Sequence, residues 1–395
     1  MSNWTNRKIG DVVTLEQGLA INAKTKHLIA DEGIPLLRIT DLINNKESQY
    51  IDKERVPKKF ITEPSDIIYT RTGQVGLVFK GRIGVIHNNC FRVMPNSEVD
   101  PNYLFWFLKQ PKVYDYVNSV ASGAAQPDLN HSAFRSIEFS YPDIAVQKKI
   151  ADVLSAYDDL IEVNTRRIRV LEQMAGSVYR EWFGKVDEKS LLEGWEIKQL
   201  QDAEISIIDG DRGKNYPTKN EFYEEGYCLF LNAGNFKDDR FDYSDCDFIT
   251  EKKDNLLRKG RLQANDIVLT TRGTVGKLAF FSENAPYKRM RINSGMVIIR
   301  PTQHALYWYF QLKSPSLKEQ YKSFASGSAQ PQLPIKDMNK INVLVPPDNM
   351  ASEFCEVLEP VAAQTEILLR KNANLRRTRD LLLPRLVSGE IAVRE

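Results

Sequence analysis

Cysteine and histidine are both scarce in this sequence, with four of each in 395 residues. Cys90, Cys228, Cys246 and Cys355 are scattered with no Cys-x-x-Cys pair, which excludes a zinc knuckle and offers no disulfide framework. They are expected as core thiols. His27, His87, His131 and His304 show no spacing, to each other or to a cysteine, that suits a metal or a nucleophilic triad. No stretch approaches the roughly 18 uninterrupted apolar residues of a membrane span, and MSNWTNRKIG lacks the apolar middle of a signal peptide. A cytoplasmic chain is expected. An excess of one charge is missing too: 54 basic residues stand against 52 acidic ones, so any footprint on a polyanion must be local.

What the chain has is apolar mass and repetition. Hydrophobic residues make up 42% and aromatics 10%, enough for real cores, and the length predicts two or three domains at about 100 to 200 residues each. DIIYTRTGQVG, starting at Asp66, recurs as DIVLTTRGTVG from Asp266, an offset of 200 residues. SGAAQPDLN (122–130) recurs as SGSAQPQLP (326–334), and IEFSYP from Ile137 matches INVLVP from Ile341, both at an offset of 204. WTNRKIGD from Trp4 pairs with WEIKQLQD from Trp195. The whole chain is a duplication, and its long period makes each copy a domain rather than a solenoid repeat.

Within each copy, short β-favouring runs such as IPLLRIT, CLFLNAG, DIIYT and GMVIIRP read as strands. NYLFWFLKQPKVYDYVNSVA and ALYWYFQLKSPSLKEQYKSFA read as pairs of short helices, each broken by a proline. From Ile150 to Val178, apolar residues then recur at alternating four- and three-residue steps, and from Phe354 to Leu375 they do so again, with Leu382 continuing. This is a coiled-coil seam in which Asn164 and Asn372 would fix register. The other reading is that both helices are amphipathic and pack on their own domains. Carboxylates such as Asp158 and Asp159 fall on this charged helical face, where a solvated role is expected rather than general acid chemistry.

The fold class is therefore α+β: two homologous α/β domains joined by two long helices in an antiparallel coiled coil with pseudo-two-fold symmetry. A helix of roughly 38 residues is about 57 Å long, so a dumbbell is expected. Two related heads on a rigid spacer suit duplex DNA, whose successive major grooves lie about 34 to 36 Å apart. Because the stretches between the shared motifs differ, as in NAKTKHLIADEG against GDRGKNYPTKNEFYEEG, the target would be bipartite and asymmetric.

The paired TRTGQVG and TTRGTVG motifs, the paired SGxAQPxL loops and the two long helices resemble the specificity subunit of type I restriction–modification enzymes over essentially the whole chain. The resemblance implies target recognition domains at residues 1–142 and 185–346, with helical spacers at 143–184 and 347–395. It also implies spacers that dock two DNA-adenine methyltransferase subunits and, through them, ATP-driven restriction subunits. S-adenosylmethionine, ATP and Mg would then belong to those partners, with no cofactor, metal or active site in this chain. The sequence holds no NPPY or DPPY motif and no GxGxxG after a strand, and GTVGKL fails as a phosphate loop because Thr271 and Leu278 stand where Gly and Ser or Thr are required. A non-catalytic adaptor holding two protein partners is the alternative, distinguished by the salt dependence of DNA binding.

In TRTGQVG, Gly73 and Gly76 predict a tight turn that pushes Arg71, Thr72 and Gln74 to the tip. The second copy offers Arg272, Thr274 and Lys277, with the arginine shifted by one position. Shared motifs cannot encode two different half-sites, so these residues are expected to position phosphates. Gln126 and Gln330, each before a proline, are expected to point outward toward DNA or a partner, unless the loop only turns the chain. Base reading falls to the variable stretches: Lys24, Lys26, Arg38 and Thr40 in the first copy, and Asp211, Arg212, Lys214, Asn215, Tyr216, Asn232 and Asn235 in the second.

Overall fold

The computed structural model describes residues 4–123, 126–186, 191–237, 239–243, 245–327 and 330–393. The chain falls into two units: residues 1–159 with 376–395, and residues 160–375. Both divide the long helices, α3 (Ile144–Phe183) and α6 (Asp348–Val387), so that each unit owns part of each.

In the first unit, strands β1 (Val13–Gln17), β2 (Ile67–Thr70), β3 (Val78–Phe79) and β4 (Cys90–Pro95) make an antiparallel sheet in the order β1-β4-β2-β3. The second unit repeats it with β5 (Ile205–Asp209), β6 (Asp266–Thr270), β7 (Leu278–Phe281) and β8 (Met296–Pro301) in the order β5-β8-β6-β7. Side chains alternate across a strand, and here both faces are covered. Ile67, Tyr69, Phe91 and Val93 enter one core while Ile68 and Cys90 enter another. Their counterparts divide likewise, with Ile267, Leu269, Val297 and Ile299 on one side and Val268, Met296 and Ile298 on the other. Two buried faces explain why these strands read as unbroken apolar runs.

Helices α1 (Pro101–Leu108) and α2 (Pro111–Val120), and in the second unit α4 (Ala305–Leu312) and α5 (Pro315–Phe324), are the proline-broken pairs. Pro111 and Pro315 each open the second helix of the pair, where a missing N–H costs nothing. A two-stranded ribbon closes each copy by pairing its start with its end: Thr5–Lys8 with Glu138–Tyr141, and Glu196–Gln199 with Asn342–Val345.

The long helices pair antiparallel inside each unit and also pack on the domain beside them, so the two sequence readings of these segments hold together. In the second unit the Asn164 side chain donates to Asn372 Oδ1 at 2.9 Å, and Asn372 Nδ2 reaches Ile161 O and Thr165 Oγ1 at 3.3 Å. A buried amide without a partner costs about 1 to 3 kcal/mol, so this mutual pairing fixes the register as the seam predicted. Further along, Ala175 and Phe183 share a core with Phe354, Leu358 and Tyr307. In the first unit Ile150 and Leu154 meet Leu383 and Leu386 over the α1 aromatics.

One duplicated position differs in kind. In the first unit Arg379 pairs with Asp158 beside Trp106, whose face also carries the Lys109 ammonium at 4.7 Å. At the matching positions, 204 residues away, the second unit has Ala362 and Ala175. The lost volume leaves a cavity of about 70 Å³, lined by both alanines together with Tyr309, Phe310 and Glu366. Among the described residues Glu366 Oε2 has no hydrogen-bond partner.

Burial pushes the Glu366 carboxyl up to about 7 from an ordinary 4.5. Between those values the folded chain keeps a proton that the unfolded chain has released, so stability falls as pH rises through the window and is level above it. Glu366→Gln should remove this slope, leaving stability unchanged near pH 4 and raising it by up to about 3 kcal/mol at pH 8. Urea denaturation of the native and variant chains at the two pH values measures this, and equal midpoints at pH 8 would contradict it.

Candidate nucleic-acid interface

The repeated motifs form one structure in each unit: they clasp each other. After β2 the chain turns through Gly73 and Gly76, with φ of 88° and 92°, and after β6 through Gly273 and Gly276, with φ of 71° and 90°. These left-handed conformations suit glycine. At Gly76 a Cβ would also lie 2.9 Å from the Tyr114 ring of α2, and at Gly276 3.2 Å from that of Tyr321 of α5. Thr70 and Thr270, both buried, hold the base of the turn by accepting from Leu77 N and Lys277 N through their hydroxyls.

Onto this turn folds the Gly, Gln and Pro loop that follows α2 or α5. Leu129 N donates to Arg71 O at 2.8 Å and Gly73 N to Pro127 O at 2.8 Å; Leu333 N donates to Thr271 O at 2.9 Å and Gly273 N to Pro331 O at 3.1 Å. The loop is also closed on itself by reciprocal backbone bonds between Ser122 and Asp128, and between Ser326 and Gln332. The loop thus docks on the sister motif of the same domain through its proline carbonyl and leucine N–H, while Gly123 and Gly327 press on Gln126 O and Gln330 O within the loop itself. Residues 124–125 and 328–329 of the two loops lie outside the described residues.

Arg71 is not at the tip. Its Nη2 forks onto both carboxylate oxygens of Asp128 at 2.7 and 2.9 Å, its Nη1 donates to Gln17 Oε1 at 3.2 Å, and its Nε reaches Leu129 O at 3.3 Å. Thr72 donates to the same Asp128 carboxylate at 2.5 Å. Charge-assisted hydrogen bonds of this kind are short and about twice as strong as neutral ones. Gln17 is further tied to His131 Nε2 at 3.1 Å and donates to Asn88 O. Burial, with Arg71 and Arg135 nearby, holds the His131 imidazole below its ordinary pKa. Gln17, Asp128 and His131 escaped the sequence reading; the signal for Asp128 was its place inside the repeated loop, opposite a motif that carries an arginine.

The variable stretches leave from this clasp. Gly18 follows Gln17 at the end of β1, and a Cβ there would sit 2.3 Å from His87 O; Gly210, just after β5, would clash with Asn293 O at 2.2 Å. From these pinned points run the loops bearing Lys24 and Lys26, both exposed, and Arg212 and Lys214, also exposed. Arg212 pairs with Asp209 at 3.1 Å. Arg38 is half-buried against Asp41 at 3.0 Å and also meets Ser48, while Thr40 is exposed. Gln74, Gln126, Thr274 and Gln330 are exposed on the two clasps.

Other candidates are spent on the fold. Asn235 is 1% exposed and donates to Asp245 O at 2.6 Å and Asp242 O at 3.3 Å. Asn232 caps Gly234 N at 2.7 Å, and Asn215 donates to Leu256 O at 3.2 Å. Asp211 is buried and accepts from Gly213 N and Arg258 N, and Tyr216 packs edge-on against Phe230. Lys277 donates to Phe236 O at 3.2 Å. These polar side chains brace their loops, because a loop's own backbone must be satisfied.

The type I restriction modification DNA specificity domain model matches residues 1–173 and again 192–377. The chain belongs to that family. Each match takes one clasped domain of the specificity family and most of the long helix that follows it. Among relatives, the chain is similar to the type I restriction enzyme MjaIX specificity subunit of Methanocaldococcus jannaschii, 24% identical over all of this chain and 94% of that one. It is also 24% identical to the HindI specificity subunit of Haemophilus influenzae, over 99% of this chain and all of that one. Its fold matches the crystal structure of the type I restriction-modification S subunit from M. genitalium with a TM-score of 0.59 at 18% identity, covering 98% and 96% of the two chains. Among the described residues no helix is long and apolar enough to cross a membrane.

If the Arg71 fork onto Asp128 tightens the first clasp, Asp128→Ala should loosen it locally. Hydrogen exchange on the full chain should show the amides of Gly73 and Leu129 exchanging faster, with those of Gly273 and Leu333 unchanged. Unaltered protection at Gly73 and Leu129 would mean that the backbone bridge alone holds the turn.

Proposed function

We propose that the chain is the DNA-reading subunit of a type I restriction–modification complex, with one half of an asymmetric bipartite target read by each unit. One observation carries this: the two units share a clasp and a sheet but differ in the loops that leave them, as two readers of two different half-sites must. Family membership over both copies, with relatives that are themselves specificity subunits, supports it. Lys24, Lys26 and Thr40 on one unit and Arg212 and Lys214 on the other are exposed polar groups of those variable stretches. They supply the base-edge and phosphate contacts.

In this reading α3 and α6 are the docking elements for two methyltransferase subunits, which in turn engage restriction subunits. Within the second unit α3 leaves Leu160, Val163, Val170 and Met174 exposed along one stripe, beside the seam rather than in it. Such an apolar stripe on a charged helix suits a partner helix. The chain contributes recognition and no catalytic group, and S-adenosylmethionine, ATP and Mg are taken up by the partners.

Single-molecule methylation sequencing of cells that express the complete system, with and without this chain, tests the assignment. Loss of N6-methyladenine from one asymmetric two-part motif is the expected result; an unchanged methylome would refute it. Inserting a heptad after Ile168 in α3 and another after Asn372 in α6 keeps the seam in phase. The unread gap of the methylated motif should then lengthen, and an unaltered gap with full activity would show that the helices do not set it.

A further inference from the structure

The two clasps balance charge differently. In the first unit Arg71 and Asp128 neutralise each other through the Nη2 contacts to the carboxylate, and both are only partly exposed. The matching positions of the second unit hold Thr271, which is buried, and Gln332. The ion pair is thus exchanged as a unit for a neutral pair. The backbone bridges around it stay in place, from Leu129 N to Arg71 O in one copy and from Leu333 N to Thr271 O in the other.

The arginine of the second motif has moved one place along, to Arg272. Its backbone bridges to Gln332, as that of Thr72 does to Asp128. Whereas Thr72 donates to a carboxylate there, the residue across the bridge from Arg272 is Gln332, whose side chain carries no charge. Among the described residues Arg272 makes no ion pair, and its neighbours at the tip, Gly273, Thr274 and Gln330, are all exposed. The Arg71–Asp128 pair of the first clasp is neutral, whereas among the described residues Arg272 of the second has no carboxylate partner, Asp209 at the place of Gln17 being paired with Arg212, and it stands on a turn whose Thr274 is exposed.

We propose that Arg272 is a phosphate-contacting residue of the second unit with no equivalent in the first, so that the two domains grip the DNA backbone unequally at the same structural element. The inference rests on the chain being a DNA reader. It revises the sequence expectation that Arg71 and Arg272 act alike: Arg71 positions the clasp, and Arg272 holds the ligand. A guanidinium suits this task because it is always charged and forks onto phosphate oxygens.

Each phosphate neutralised adds about 0.9 to the slope of log affinity against log salt. The test uses the full chain, purified with the subunits that accompany it, and a duplex carrying the methylated motif, titrated from low to high salt. Arg272→Ala should weaken binding several-fold at low salt and lower the slope by about 1. The double variant R71T/D128Q, which writes the second unit's neutral pair into the first, should leave the slope unchanged. This exchange is one that the second copy already folds with, so a loss of slope here cannot be put down to an impossible clasp. An unchanged slope for Arg272→Ala, or an equal fall for R71T/D128Q, would overturn the inference while leaving the DNA-reading assignment intact. Failure of the native chain to bind the duplex would overturn both.

Discussion

Each domain depends on a backbone bridge between two loops distant in sequence: the turn after the central strand of the sheet and the loop after the proline-broken helices. The turn lies at the end of a sheet and the loop at the end of a helix pair, so the bridge couples the two layers of the domain. Buried peptide groups must find partners, and here the loop accepts from the turn through a proline carbonyl and donates to it through a leucine N–H. Glycine is required at the turn, small residues in the loop, and a proline carbonyl opposite Gly73 or Gly273. Side-chain identity between those points is free to vary, as the exchange of Arg71 and Asp128 for Thr271 and Gln332 shows.

That freedom bears on function. A clasp that holds its shape by backbone bonding can anchor loops of different length and chemistry. Gly18 and Gly210 set where those loops begin, each by letting the backbone press against a neighbouring carbonyl. Scaffold and variable loops are thereby separated in the sequence: the repeated motifs keep the domain, and the unrepeated ones differ between the two copies. The long helices follow the same logic. Asn164 and Asn372 fix one register in the second unit, while the position that is an ion pair in the first unit becomes two alanines and a cavity in the second.

Much of the fold was legible because its signals are local or periodic. The offset of the repeats, the prolines that break each helix pair and the alternating steps of the seam all survive in a single sequence. The individual site residues were less legible, and for one reason. Whether a polar side chain faces outward depends on what the fold brings to it. Arg71 looked like a hairpin tip until Asp128, 57 residues away, closed on it, and Asn235 looked like a reader but is buried beneath its own loop. The alanines at 175 and 362 carry no motif at all, and their effect is visible only where the two helices meet a domain.

The central claim is that each domain reads its own half of the target. It is tested most directly by replacing residues 5–141 with the corresponding first domain of the Methanocaldococcus jannaschii relative and sequencing the methylated motif in cells that express the system. The account predicts that one half of the motif changes while the other half is retained. Retention of both halves, or loss of both in an active complex, would contradict it.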